Sequence, residues 1–354
     1  MNHHQKKGLL TRRHALEVLG LSAGLGLVGM GRSQASQPMQ FVSAGSPEFT
    51  PGSVIRTLKG DIDPAEFADG ATLFHEHLRG GTVDEVLFEV QSAGRDGVTC
   101  LVDSVTGRRS RQALDHLQGV ADRADVHIVC AGGYFQDVGF AIYPVRIAEA
   151  SEDELYEELV QDATSQRWGA FGEIGSSLEM RPDERKVHRA VGRAHVTTGL
   201  PVFTHTPHES CPSCAMEQMD TMESVGVDFS HLVIGHMSTI KRAHDPLGTH
   251  AAIAKRGAFI GLDTVGHEMS RSQIPEKDKV RMVQDLLDAG LEDHILFSSD
   301  MGNTTHWKAN YGNGYSTVLM QFVPKLLYAG IPEITIRKIL VDNPRRLLAV
   351  QPKV

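Results

Sequence analysis

Within residues 72–78, TLFHEHL, two histidines flank a glutamate inside an otherwise apolar run. In a strand, successive side chains alternate between faces, so His75 and His77 share one face and Glu76 takes the other. Two imidazoles on one buried face need partners for their ring nitrogens. A metal ion supplies them, and so do ordinary hydrogen bonds. Four later stretches end in groups of the same kind: FGEIG with Glu173, FTHT with His205, VIGH with His236 and FSSD with Asp300. Any one of these alone reads as a hydrogen-bonded core histidine or an arginine-paired carboxylate. Together they are four imidazoles and two carboxylates, and six such groups in one apolar mouth do not satisfy one another cheaply. Nitrogen and oxygen donors in this mix suit Zn²⁺, Mn²⁺ or Co²⁺. Six donors exceed what one tetrahedral ion takes, so the set calls for two divalent ions.

The elements that must gather these groups are strands. Apolar, β-branched runs fall at 72–77, 98–103, 126–130, 170–175, 201–206, 231–236, 258–263 and 294–300. Their starts lie 26 to 44 residues apart, enough each time for a strand, a loop and a crossover helix. Helical patterns fill the gaps, as in SEDELYEELVQDAT, which opens on a serine cap and an acidic turn, and KDKVRMVQDLLDAG, which ends on Gly290. Eight such units predict an α/β fold, a (βα)8 TIM barrel over 36–354 with a short extended lead-in at its start. A doubly wound sheet is the rival, and no GxGxxG follows an early strand to favour it. In a barrel, function gathers at the C-terminal ends of the strands, where all six groups fall.

The pattern HxH, Glu, His, His, Asp on strands 1, 4, 5, 6 and 8 resembles the amidohydrolase superfamily, specifically its phosphotriesterase-like family. TLFHEHL, PVFTHT, the passage from VIGH to FIGLD, and DNPRRLL resemble that family's segments in the same order, over residues 40–350. The resemblance implies that His75, His77 and Asp300 hold one ion, and that His205 and His236 hold the other. Many members bridge the ions with a carboxylated lysine on strand 4. Here that place is Glu173, so assembly should not depend on dissolved CO₂.

Two cations, most simply Zn²⁺, lower the pKa of a bridging water, and Asp300 is placed to take its proton and pass it to the leaving group. The implied activity is hydrolysis of an ester, lactone or phosphoester. Amide or other C–N hydrolysis is the alternative within enzymes, and a metal-bearing binding protein without turnover is the alternative outside them. Glu76, on the opposite face, reads as structural support. Tyr134, in the Gly-Tyr-Phe after strand 3, falls where lactone-hydrolysing relatives carry a tyrosine, and is expected to orient a substrate carbonyl. The sequence GLDT at 261–264 lacks the arginine that similar lactonases show after the aspartate, which weakens the lactonase assignment. His208 and His267, on loops beyond strands 5 and 7, read as surface histidines. The long loop after strand 8, with Trp307, Tyr311 and Tyr315, reads as a lid or as a surface for a second subunit.

Hydrophobic residues at 41% and charged residues at 22% describe a globular chain rather than a disordered one. The net charge of −9 is uneven: residues 1–35 carry five lysines and arginines against Glu17, or +4, which leaves the remainder at −13. An acidic body of that size repels nucleic acid and anionic membranes. A second copy of the chain, in a homodimer, is the macromolecular partner left open. The first 35 residues read as an address. Arg12 and Arg13 precede a modest glycine-rich apolar stretch, and Ser33-Gln34-Ala35 supplies small residues for cleavage. Glu17 and the glycines break the stretch below the length of a membrane span. The stretch reads as a twin-arginine (Tat-type) signal peptide, which would place the folded, metal-loaded protein in the periplasm or outside the cell. Cys100 and Cys130 sit in apolar runs and read as core residues. Cys211-Pro212-Ser213-Cys214 is a lone CxxC, compatible with a local disulfide in an oxidising compartment and lacking a second CxxC to complete a metal site.

Overall fold

Eight parallel strands follow one another round a barrel in sequence order, each joined to the next by a segment that crosses outside. The computed structural model describes residues 47–105, 109–137, 143–266, 274–351 and 353. The leader expected at 1–35, and His267, lie outside the described residues. A short antiparallel hairpin comes first, β1 (Ile55–Thr57) and β2 (Gly60–Ile62). The barrel strands are β3 (Ala71–Glu76), β4 (Val98–Asp103), β5 (His127–Gly132), β6 (Ala170–Gly175), β7 (Val202–His205), β8 (Leu232–Ile234), β9 (Phe259–Leu262) and β10 (Ile295–Phe297). These are the eight runs read from the sequence, so the (βα)8 TIM barrel stands.

Two strands end earlier than their apolar runs suggest. His236 and Asp300 have φ values of 58° and 49°, in the left-handed region that disfavours side-chain-bearing residues. The turn they force takes each out of the ladder and aims its side chain across the mouth. Such strain is tolerated where surrounding contacts over-determine it, as at sites.

A serine hydroxyl bridges the seam between β3 and β10, beside backbone bonds and the Glu76 carboxylate. Ser298 Oγ accepts from the His75 amide at 3.0 Å, and lies 2.9 Å from the His75 carbonyl and 2.8 Å from Glu76 Oε1. Beyond it, Asp300 N donates to His75 O at 3.1 Å and His77 N to Met301 O at 2.9 Å. The two HxH histidines are thus fixed to the segment after β10 that carries Asp300.

The lead-in holds the β1–β2 hairpin, which covers the opposite, N-terminal end. Ile55 packs into the inner core with Phe67, Phe74, Phe203 and Phe259. Burying an aliphatic side chain of this size contributes roughly 1.5–3 kcal/mol. The approach is close enough to demand glycine, because a Cβ on Gly169 would stand 2.2 Å from the Arg56 carbonyl oxygen.

Outside the barrel, the serine cap read at Ser151 is formed, and a second cap of the same kind accompanies it. Ser151 and Glu154 form a reciprocal cap on the helix Glu152–Ser165, as Thr82 and Glu85 do on Val83–Arg95. The loop after β10 is docked rather than lid-like. Lys308 N and Ala309 N donate to the Glu89 carboxylate at 2.9 and 3.0 Å, Trp307 is buried, and the Tyr315 hydroxyl donates to His77 O at 3.0 Å. Only Tyr311 of the three aromatics stands in solvent. Cys211 and Cys214 form a disulfide with their Cα atoms 5.4 Å apart, while Cys100 and Cys130 are buried free thiols, the latter pushed up to about 11 by burial. Among the described residues no helix is long and apolar enough to cross a membrane.

Candidate metal centre

Glu173, at the end of β6, lies among four imidazoles. Its Oε2 is 2.9 Å from His205 Nδ1, 3.4 Å from His75 Nε2 and 3.5 Å from His236 Nε2, and its Oε1 is 3.5 Å from His77 Nε2. Asp300 Oδ1 stands 2.9 Å from His77 Nε2 and 3.7 Å from His75 Nε2. All six groups named from the sequence are brought together and buried. Asp300 lies nearest His77 and His75, His205 Nδ1 lies 2.7 Å from His236 Nε2, and Glu173 reaches all four imidazoles.

The far sides of three imidazoles decide what the near sides present. His75 Nδ1 lies 2.9 Å from Asp263 Oδ2, His236 Nδ1 lies 2.9 Å from Asp263 Oδ1, and His77 Nδ1 lies 3.1 Å from the Ser104 carbonyl. Carboxylates and carbonyls only accept, so each Nδ1 carries a proton and donates it. The neutral imidazoles then turn Nε2 lone pairs towards Glu173 and Asp300, which are lone-pair bearers themselves. His236 Nε2 also lies 2.7 Å from His205 Nδ1, whose single proton is contested by Glu173 Oε2 at 2.9 Å. His75 Nε2 is fully buried and makes no hydrogen bond. Lone pair facing lone pair is repulsive, and positive charge is what resolves it. A second proton on each ring would supply it, and so would a divalent cation.

The charges report the same demand. Burial opposes a charge on His75, but Glu173 and Asp263 outweigh it and hold the imidazole well above its usual range. His236 is likewise opposed by burial yet raised to about 9 by Asp263 and Glu173. Burial and the neighbouring His236 pull His205 down. Glu173 and Asp300 stay ionised, because the surrounding histidines outweigh the cost of burying their carboxylates. Nitrogen and oxygen donors with fixed tautomers, around a pair of anions, fit divalent metal ions. Histidine and carboxylate groups of suitable reach occur as His75, His77 and Glu173, and as His205, His208 and His236.

Comparison with known proteins gives the family. A model of the phosphotriesterase family covers residues 53–348. The chain belongs to the phosphotriesterase family. It is 30% identical to a phosphotriesterase homology protein of Escherichia coli, over 78% of this chain and 96% of that one. It is 31% identical to an N-acetyltaurine hydrolase of Mus musculus, over 76% of this chain and 77% of that one. Among solved structures, a lactonase from Listeria monocytogenes superposes with a TM-score of 0.72 at 26% identity, covering 84% of this chain and 99% of that chain. This phosphotriesterase-family protein is accordingly a hydrolase.

Four side chains depart from, or were absent from, the sequence reading. Tyr134 is not brought to the cluster. Its hydroxyl donates to Glu158 Oε1 at 2.8 Å and accepts from Arg146 Nη2 at 2.6 Å, in the layer of the outer helices. Its neighbour Phe135 takes the inner position, with its ring 4.5 Å from that of His205. His208 is not a surface histidine: its ring lies 4.2 Å from that of His236, and its Nε2 3.8 Å from Asp300 Oδ2. Asp263 holds both His75 and His236, a role that its place at the end of the apolar run FIGLD does not by itself reveal. Glu76 behaves as expected, turned away and accepting from Ser299 N and Met301 N at 2.9 and 2.8 Å, and from the hydroxyls of Ser298 and Ser299. Burial raises its carboxyl to about 7 against those donors.

Proposed function

We propose that this phosphotriesterase-family hydrolase works with two divalent ions, Zn²⁺ first among Zn²⁺, Mn²⁺ and Co²⁺, and cleaves ester, lactone or phosphoester bonds of small molecules. His75, His77 and Asp300 would hold one ion, His205 and His236 the other, with Glu173 reaching both. The observation that carries this is the convergence of three buried Nε2 lone pairs on Glu173 and Asp300. Bound there, the ions would supply a nucleophile at neutral pH and polarise the bond to be broken.

The chain's own groups divide the remaining work. Asp263 fixes the tautomers of His75 and His236, and the Ser104 carbonyl fixes that of His77. Asp300 has one oxygen on His77 and the other towards His208, which leaves it placed to accept a proton and return it to the leaving group. Phe135 covers one edge of His205 and keeps water from that side.

Amide hydrolysis is the second reading, favoured by the similarity to N-acetyltaurine hydrolases and by Thr264 standing where similar lactonases carry an arginine. We also propose export in the folded state by the twin-arginine route, to the periplasm or beyond; the Cys211–Cys214 disulfide supports an oxidising destination. The deciding experiment loads purified protein with each metal, counts the ions, and assays aryl esters, lactones, phosphotriesters and N-acyl amino acids. Turnover of at least one of the first three, with two ions bound, is expected. Turnover confined to the amides would select the second reading, and two ions without any turnover would leave a binding protein.

A further inference from the structure

We infer that His208 is a third imidazole ligand of the ion held by His205 and His236, which makes that side of the centre a three-histidine site. The inference rests on the metal-dependent reading proposed above. Without it the two sides are unequal. One ion would draw on four side chains, His75, His77, Asp300 and Glu173, and the other on three, His205, His236 and Glu173.

The geometry places His208 to make up the difference. One nitrogen from each of His205, His208 and His236 lies within 4.8 Å of the other two. Zinc–nitrogen bonds of about 2.1 Å bring tetrahedral donors to roughly 3.4 Å from one another, so a bound ion need draw the rings only slightly together. The ring of His208 lies 4.2 Å from that of His236 and 5.2 Å from that of His205. Its side chain is 22% exposed, at the rim of the mouth, where a ligand can join without burying a further charge.

The loop that carries it is fastened on both sides. The Ser210 hydroxyl accepts from Lys241 N at 2.9 Å, and the Thr239 hydroxyl donates to Glu209 O at 3.3 Å, which ties the loop to the segment following His236. Gln218 donates to the His205 carbonyl at 2.8 Å from the helix Pro212–Glu223, whose first turn is closed by the Cys211–Cys214 disulfide. A histidine held this way is positioned at low entropic cost, because its backbone is already ordered before an ion arrives.

The test counts ligands directly. Protein with ¹⁵N-labelled imidazoles is loaded with ¹¹³Cd²⁺, and couplings through nitrogen–cadmium bonds are counted by NMR. Five coupled imidazoles are expected in the native chain, with the fifth lost in His208→Gln. Four coupled imidazoles in the native chain would overturn the inference while leaving the two-ion reading intact. Fewer than four would remove that reading, and the inference with it. In chelator competition, folded His208→Gln is expected to hold one of two zinc ions at least tenfold more weakly; native affinity at both sites would equally overturn the assignment.

Discussion

Asp263 carries His236 twice, through the backbone amide and through ring Nδ1, both at 2.9 Å from the same carboxylate oxygen. Its other oxygen takes His75 Nδ1 at 2.9 Å. One aspartate just after β9 therefore links imidazoles from β3 and from the end of β8. The surrounding histidines outweigh burial and keep its carboxyl below the usual range, so it stays an acceptor for both rings at any working pH.

Replacing Asp263 with Asn turns one of those acceptors into a donor. Either His75 or His236 must then flip its tautomer or lose its partner, and Nε2 no longer offers a lone pair inward. Loss of such a supporting carboxylate typically costs ten- to a hundredfold in metal affinity. Dialysis of D263N against a weak chelator, followed by elemental analysis, should find fewer ions than in the native chain. Equal ion content under equal conditions would show that Asp263 orients nothing.

Asp300→Asn tests a different step. The amide oxygen still faces the metal side, and His75, His77 and Glu173 remain, so at least one ion should stay bound. The group that takes the proton is gone, and general-base losses run to roughly a hundred- to ten-thousandfold. The loss should fall on kcat rather than on KM. A rate within twofold of native would take Asp300 out of the mechanism.

What the sequence disclosed and what it withheld have distinct physical causes. The eight strands announced themselves because parallel strands are buried on both faces and read as apolar runs. The six ligand-type groups stood out because charge and imidazole are costly in such runs. Asp263 gave no comparable sign, since a strand-end aspartate can serve a helix cap, an arginine or a histidine, and only the fold tells which. Tyr134 and Phe135 are adjacent in a loop, and the choice of which faces the mouth depends on Glu158 and Arg146, more than ten residues downstream. The loop after β10 looked free because its anchor is Glu89, a buried carboxylate on a helix more than two hundred residues away.

Ser298→Ala examines the seam. The hydroxyl accepts from the His75 amide and sits within hydrogen-bond distance of the His75 carbonyl and Glu76, all buried. Its removal leaves the amide unpaired at a cost of about 1–3 kcal/mol. Thermal unfolding should shift down by a few degrees, and ion content should fall with it because β3 carries two ligands. A variant melting with the native chain would show that the seam is held by the neighbouring backbone bonds alone.

Acid stability depends in part on a histidine far from the centre. His188 is fully buried in the helix Pro182–Thr198, with Nδ1 2.8 Å from the Glu184 carbonyl, and burial pushes it down to about 4. In the unfolded chain it takes a proton near its ordinary value of about 6.5. The unfolded state therefore binds more protons between those two values, and stability falls as pH drops through that window. A shift of that size corresponds to about 3 kcal/mol, present in full above neutrality and gone below the folded value. His188→Gln removes the titration while leaving every metal-side histidine in place. Urea unfolding of both proteins from pH 7.5 to 4.5 should give a shallower decline for the variant; parallel declines would mean that His188 takes up its proton without opening the fold.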